Sequence, residues 1–407
     1  MQSNRKYDVV IIGGGAAGFF AAINMKIKHP KRAIIILEKT TKLLSKVKIS
    51  GGGRCNITHH CDTISELLKG YPRGSKLLRE AFHTFFVSDT IQWFEERGVK
   101  LKTEEDGRMF PVTDNSQTII DCLLGECDRL GIPIYTKMNV VKVKQVATGF
   151  HVETTENEVF ESEKVVLTTG GYHLKKDYDW IKEIPCVIEA PYPSLFTFNL
   201  KKHPITNLMG IAIEHAVVKI PSLKMEQTGP VLITHWGLSG PGVLMLSAWA
   251  AKELHQKNYH FDFHVNFLPE FHSDGLGHFL MDYKQKNASK SVQKKVFSEL
   301  PQRFWNYLIE TVEIQDKNWS DCNKKQVFKL AELLTNHPFQ AHGKTTFKEE
   351  FVSAGGVNLK QVNPKTLESK TVPNLYFAGE CLDIDGVTGG YNFQAAWSTS
   401  FVVSQCE

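Results

Sequence analysis

Gly13, Gly15 and Gly18 follow the apolar run at residues 7–12 in G-x-G-x-x-G spacing and lead into an alanine-rich stretch that starts at Ala16 and Ala17. In a phosphate cradle each glycine has a mechanical task. The first turns the chain tightly, the second admits a pyrophosphate against the backbone, and the third lets helix lie close on strand, with the helix N-terminus facing the anion. A second apolar run, "AIIIL" (33–37), ends in Glu38, twenty residues after Gly18. A carboxylate at that point accepts hydrogen bonds from ribose hydroxyls. Strand, glycine turn, helix, strand and acid, in that order, predict a dinucleotide site.

A different array, "ISGGGRCNITHH" (49–60), offers four readings: a phosphate cradle, a reactive thiol, a metal site or a flexible loop. It lies shortly after Glu38, so a chain leaving the second strand crosses the nucleotide here. Gly52 and Gly53 permit close backbone approach, Arg54 and Asn56 can reach the pyrophosphate or ring, and Lys46 adds positive charge. His59 and His60 are poor joint metal ligands, because neighbours on an extended chain point apart. Cys55 beside Arg54 is a candidate thiolate, with packing near the cofactor as its ordinary alternative.

The C-terminal region "VPNLYFAGECLDIDGVTGGYNFQAAW" (372–397) passes from a strand into Gly379 and Glu380, through an acidic loop with Asp383, to a helix opened by Gly389 and Gly390 and begun by Tyr391 and Asn392. It resembles the second FAD fingerprint of glutathione-reductase-type flavoproteins, in which an acid after a strand bonds the ribityl chain. The helix N-terminus suits the electron-rich end of the reduced isoalloxazine. "KVVLTTGG" (164–171) brings Thr169 and Gly170 to the adenosine-phosphate side. "GLSGPG" (237–242) has the wrong spacing for a second phosphate loop. One held dinucleotide, FAD, is therefore expected, with NAD(P)H as a transient reductant at most. Tyr391, beside the helix start, is a candidate to face the ring or hydrogen-bond substrate.

Across nearly its whole length the chain resembles the BaiN-type (YhiN-like) FAD-dependent flavoproteins, relatives of aminoacetone oxidase. The carrying motifs are "KVKISGGGRCNIT", "GRMFP", "TTGG", "THWGLSGPGVL", "SAGGV", "TLESK" and "LYFAGECLDIDGVTGGYNFQAAW". Thr40, Thr41 and Cys381 are small departures. The resemblance implies an α/β chain in which a glutathione-reductase-type Rossmann FAD-binding domain (1–190 and 345–407) is interrupted by a β-barrel-like domain (191–272 and 337–344). That domain carries a small helical insertion (273–336), and its face toward the flavin is the expected substrate pocket. Lys39 and Val141 complete the expected FAD contacts. The implied activity is oxidation of an aminoketone or amine, or reduction of a conjugated carbonyl, in a small organic substrate. The alternatives are a flavin-dependent accessory protein acting on a macromolecule such as tRNA, and a flavin-stabilised interaction module.

The elements that must position these residues are legible in outline. At 407 residues, two or three domains are expected. Ser116 caps a helix whose Ile119, Ile120, Leu123, Cys127 and Leu130 form one stripe before Gly131, and Cys122 and Cys127 are core thiols. From about Pro191 short β-like runs follow; in "HFDFHVNF" (260–267), Phe261, Phe263, Val265 and Phe267 alternate with a polar row of His260, Asp262, His264 and Asn266. That row is chemically able to bind a metal, but a hydrophilic strand face is the ordinary reading, and no metal is expected. The charge of +4 is spread along the chain, which argues against a nucleic-acid partner. Eight cysteines at irregular intervals read as reduced thiols. No signal peptide or run of ~18 apolar residues is present, so a cytoplasmic protein without a membrane partner is expected.

Overall fold

The computed structural model describes residues 4–345 and 352–406; the segment at 346–351, where the chain is expected to re-enter the FAD-binding domain, lies outside the described residues. The described chain divides into two compact units, 4–194 with 352–406, and 195–345.

The first unit is built on β1 (Asn4–Ile12), whose Val9, Val10 and Ile11 have no exposed surface. Burial on both faces is what an all-apolar parallel strand requires. It leads through the glycine turn into α1 (Ala16–Lys28) and on to β2 (Ile34–Leu37), which pairs parallel with β1. The helix α2 (Gln117–Arg129) buries Ile119, Ile120, Leu123 and Cys127. Ser116 stands at its N-cap, yet its hydroxyl donates to Lys48 O (2.7 Å) rather than capping the helix. Beyond it come β3 (Ile134–Tyr135), β4 (Val140–Val146), β5 (Gly149–Thr154) and β6 (Val159–Leu167). The order is β3-β2-β1-β6-β5-β4, parallel from β3 to β6 and antiparallel in the β4–β6 meander.

The second unit is a closed barrel. Its strands are β7 (Thr197–Asn199), β8 (Ala212–Ile220), β9 (Met225–Ile233), β10 (Gly237–Ser239), β11 (His260–Asn266), β12 (His337–His342) and β13 (Lys344–Thr345). The sheet order is β12-β11-β8-β9-β10-β7-β13. The two edges are consecutive in the chain: one strand bends at Gly343, pairing with β11 before the bend and with β7 after it. An interior of Phe198, Phe261, Phe263 and Phe339 fills it, with Phe263 stacked on Phe339 (centroids 5.3 Å). Phe261 and Phe263 are buried while His260 and Asp262 are exposed, as the alternation predicts. Asp262 accepts from Gln340, and His264 Nδ1 donates to Asn336. His337 lies flat on Phe339 (4.3 Å, 6°) with its Nε2 buried and unpartnered, and burial pushes its imidazole down to about 4. Between β11 and β12 run three helices, α3 (Ser273–Lys286), α4 (Gln302–Thr311) and α5 (Lys324–Thr335), around the buried Trp305 and Trp319.

The first unit is completed by β14 (Leu375–Phe377), parallel to β6, and by α6 (Tyr391–Ser404). The α6 helix packs along α1, with Ser400 Oγ donating to Ala17 O (2.9 Å). This contact joins the two ends of the chain in one layer. Among the described residues no helix is long and apolar enough to cross a membrane.

Candidate cofactor site

The glycine turn can be tested atom by atom. A Cβ on Gly13, whose φ is +120°, would meet Thr168 O at 2.4 Å, and one on Gly18 would meet Gly13 O at 2.0 Å. Both positions are closed by the protein itself. Gly15 differs: its φ of −94° is ordinary, and a Cβ there would find no protein atom within 4 Å. The open space sits at the N-cap of α1, whose first turn carries no acid. That is the geometry a pyrophosphate needs, backbone donors and a positive helix end with no side chain in the way. Thr168 secures the turn by donating to Ile12 O (3.0 Å) and Gly13 O (3.1 Å).

Glu38 stands at the end of β2. Its Oε2 accepts from Gly14 N (2.8 Å) and its Oε1 from Thr40 N and Oγ1 (2.9 Å each), which fixes the carboxylate while leaving lone pairs for ribose hydroxyls. Beside it a small cavity of about 40 Å³ runs from Ile12 and Glu38 past Lys39, Asn139 and Thr169 to Tyr172 and Trp180. Lys39 Nζ lies 5.3 Å from the Tyr172 ring centre. Val140 lines this cavity and Val141 does not: along β4 alternate side chains face opposite ways, and Val141 is exposed. Of this pair it is Val140 whose side chain faces the cavity. Tyr172 and Trp180 carry no spacing signal, although Tyr172 directly follows "TTGG".

The C-terminal acids are also held. Glu380 accepts from Lys46 Nζ (2.5 Å) and from Ser353 N (3.1 Å), so these two expected cofactor residues bind each other. Asp383 Oδ1 accepts from Gly355 N (2.9 Å). Gly170 places its Cα near the same carboxylate, with a Cβ there 3.9 Å from Glu380 Oε2. Gly379 backs onto Ala17, where a Cβ would come within 2.9 Å of the alanine methyl. The loop that follows is anchored by Asp385, a fully buried carboxylate paired with Arg73 and bonded by Ser194 Oγ, residues far apart in sequence.

The triple-glycine segment is not an extended crossing. It is a helical stretch, Ser45–Gly53, that turns left-handed at Gly51 and Gly52, and Gly52 has open space where a Cβ would stand. Gly53 O accepts from Ser116 N (2.8 Å). Arg54 is committed elsewhere than to a phosphate: it pairs with Glu104 (2.6 Å) and Asp114 (3.6 Å), and its guanidinium lies 3.9 Å from the Phe110 ring centre. Asn56, with its amide oriented to satisfy both ends, donates to Thr58 O and Met109 O and accepts from Gly390 N (3.1 Å). It braces the start of α6. Asn392 does likewise, exchanging both hydrogen bonds with Gly386.

Cys55 is fully buried, and burial pushes its thiol up to about 12. The thiolate reading is thereby corrected: Arg54 turns to the acids, and the sulfur is a neutral core atom. Tyr391 is wedged over Gly70, where a Cβ would come within 2.2 Å of its ring, stacks on His59 (4.7 Å) and meets Tyr71 edge-on. Burial raises its phenol above the ordinary range, so it stays protonated. His59 Nδ1 donates to Gly389 O (3.0 Å), and burial lowers its imidazole below the usual range, leaving it neutral. His60 is exposed. Among the described residues no three His, Cys, Asp or Glu gather as metal ligands.

The residues present fit FAD at its phosphate and ribose end: an open Gly15, a fixed Glu38 and an adjoining cavity. The family model described as HI0933-like protein Rossmann domain matches residues 7–406. A ribosomal RNA dihydrouridine synthase of Escherichia coli is 29% identical over 412 residues, covering 98% of each chain. A 3-dehydro-bile acid delta(4,6)-reductase of Clostridium scindens is 28% identical over 404 residues, covering 97% of each. Among solved structures, a 3-ketosteroid delta1-dehydrogenase of Sterolibacterium denitrificans aligns with a TM-score of 0.52 at 11% identity, over 98% of this chain and 99% of that one. At that identity the likeness speaks for the fold alone.

Proposed function

We propose, from the premise that this chain belongs to the HI0933-like Rossmann family, that it is an FAD-dependent oxidoreductase reducing a carbon–carbon double bond conjugated to a carbonyl. The observation that carries the reading is an anion-ready turn at Gly13–Gly18 facing Glu38, in a chain whose full-length relatives include two named for such a reduction. A 3-oxo-steroid diene and the uracil ring are different molecules, yet each presents an alkene polarised by a neighbouring carbonyl.

Bound FAD supplies hydride chemistry that no side chain can. The chain's own share is to hold and orient it. Gly15 N and the first-turn amides of α1 meet the pyrophosphate, and Glu38 accepts from the ribose. Glu380 and Asp383, on the loop pinned by Arg73 and Asp385, hold the ribityl side. Overall, NAD(P)H and a proton are consumed, the alkene gains hydride at the carbon β to the carbonyl and a proton at the α carbon, and NAD(P)⁺ leaves. With no second phosphate loop of this spacing in the sequence, NAD(P)H visits and departs. Residues 195–345 are proposed as the substrate-side domain, with 273–336 its helical insertion. Reduction is preferred to amine oxidation because these two relatives are named for reductions.

The test is anaerobic mixing of the FAD-loaded protein with NADH or NADPH, followed by a simple enone. Bleaching of the visible flavin band by one nicotinamide and its return on adding enone are expected. Bleaching by amines alone, or no return with any enone, would defeat the proposal.

A further inference from the structure

Across the chain the charges look dispersed, but they do not balance locally. Residues 195–345 hold 17 Lys and Arg against 13 Asp and Glu, and the rest of the sequence holds 31 of each, so the entire +4 belongs to the second unit. The same unit exposes an aromatic side chain of unusual size for a surface. Trp236, in the hairpin between β9 and β10, is 51% exposed, and Met209 is equally so. His235 connects them, with Nδ1 2.7 Å from Met209 Sδ and its ring edge-on to the indole (6.3 Å, 90°).

Cationic residues lie close to this platform along the backbone. Leu200 N donates to Trp236 O (2.7 Å), which sets the exposed Lys201 and Lys202 directly beyond the hairpin. Arg303 Nη2 donates to Asn207 O (3.3 Å), two residues before Met209. One guanidinium hydrogen bond is thus spent on positioning the fork, and its remaining donors are available. Scattered exposed apolar residues need no explanation. An exposed indole whose backbone neighbours carry two exposed lysines, with an arginine bonded two residues from the adjoining Met209, in the one unit with net positive charge, is a different arrangement. A flat π surface takes a planar ring, and cations spaced around it take charges that recur along a backbone.

We propose that this surface holds a single-stranded polynucleotide, with a base stacked on Trp236 and neighbouring phosphates met by Lys201, Lys202 and Arg303. The link to turnover rests on the reaction proposed above, since a uracil ring carried in a strand contains the required alkene beside a carbonyl. The binding itself does not rest on it.

The experiment is fluorescence anisotropy of a short labelled oligouridylate, and of its oligothymidylate counterpart, with the FAD-loaded protein. Trp236→Ala is expected to weaken binding about 5- to 100-fold, and Trp236→Phe to recover most of it. The double variant Lys201→Gln, Lys202→Gln is expected to lower the slope of log affinity against log salt by about 1.4. Preference for the ribo- over the deoxy-strand would identify RNA as the occupant, and the reverse DNA. Unchanged affinity in Trp236→Ala overturns the proposal. So does binding to phosphatidylserine vesicles that is lost in that variant and displaces the strand, which would make the surface a membrane contact. A wild-type protein that reduces enones but binds no strand refutes the surface alone; one that binds strand but reduces no enone refutes the reaction alone.

Discussion

Replacing Gly15 and Gly18 separately by alanine pulls apart two functions that a glycine-rich turn usually confounds. At Gly15 the backbone is already in a region open to any residue, and no protein atom lies within 4 Å of the added methyl. The loss of an N-cap glycine and the reduced entropy of the unfolded chain are each worth about 0.5–1 kcal/mol and oppose each other. The FAD-free protein should therefore melt within about 2 °C of wild type. The methyl stands where the pyrophosphate must approach, and losing one charge-assisted backbone hydrogen bond costs about 1.5–3 kcal/mol. FAD affinity should fall about 10- to 100-fold. At Gly18 the methyl would lie 2.0 Å from Gly13 O, so α1 must back away from β1, an overpacking penalty of about 1–3 kcal/mol or more. Here stability and affinity should fall together. Thermal melts of FAD-stripped protein and titration with FAD, followed by quenching of flavin fluorescence, measure both. Wild-type affinity in Gly15→Ala, or a melting loss equal to that of Gly18→Ala, would refute the assignment of the open space to the pyrophosphate.

Three further outcomes are expected. Cys55, neutral and buried, should resist iodoacetamide at pH 8 in the folded protein and react once urea is added; rapid labelling of the native thiol, located by mass spectrometry, would contradict its burial. Arg73→Leu strands the Asp385 carboxylate in the interior and should cost about 3–5 kcal/mol in urea unfolding, whereas a loss under 1 kcal/mol would show the pair to be dispensable. His337 has its imidazole held down at about 4 by burial, against an ordinary 6.5 in the unfolded chain. Its stabilising contribution is complete above pH 6.5 and is lost as pH falls toward 4, about 3 kcal/mol in all. His337→Phe should flatten the urea stability of the second unit between pH 7 and 4.5, and an unaltered acid slope would assign that loss to other groups.

What could be read along the chain was whatever the chain expresses locally. The turn at Gly13–Gly18, the buried strands and the acid at Glu38 are separated by short, regular intervals, so their spacing carries their geometry. The fate of Arg54 could not be read in this way. Its choice between a phosphate and the pair Glu104 and Asp114 depends on a hairpin fifty residues later. Asn56 and Asn392 have the composition of ligands but serve as braces, because the donors and acceptors they satisfy come from Gly390 and Gly386 once α6 is in place. That Val140 and not Val141 turns its side chain to the cavity could not be read either, because a strand's two faces differ only in parity and its neighbours decide which is inward. The Arg73–Asp385 pair spans 312 positions and leaves no trace in spacing. The charge balance is another quantity that hides local structure: averaged over the chain, it does not show that one unit is neutral and the other carries all of the excess.

The strand that bends at Gly343 has a further consequence, for how such a chain can be assembled and altered. Because that one strand borders both ends of the barrel sheet, the first and last strands of the second unit are hydrogen-bonded neighbours, with Phe198 opposite Lys344. In the first unit the chain leaves and returns side by side as well, for Ser194 N donates to Val352 O (2.9 Å). Departure and re-entry therefore span only about the width of one strand pair. A domain with abutting ends behaves as a cassette. It closes a loop in its host at an entropic cost that grows only logarithmically with the length of what is inserted. The barrel, or its helical portion, can thus lengthen, shrink or be exchanged for another small domain while β1, α1, β6 and α6 keep the glycine turn intact.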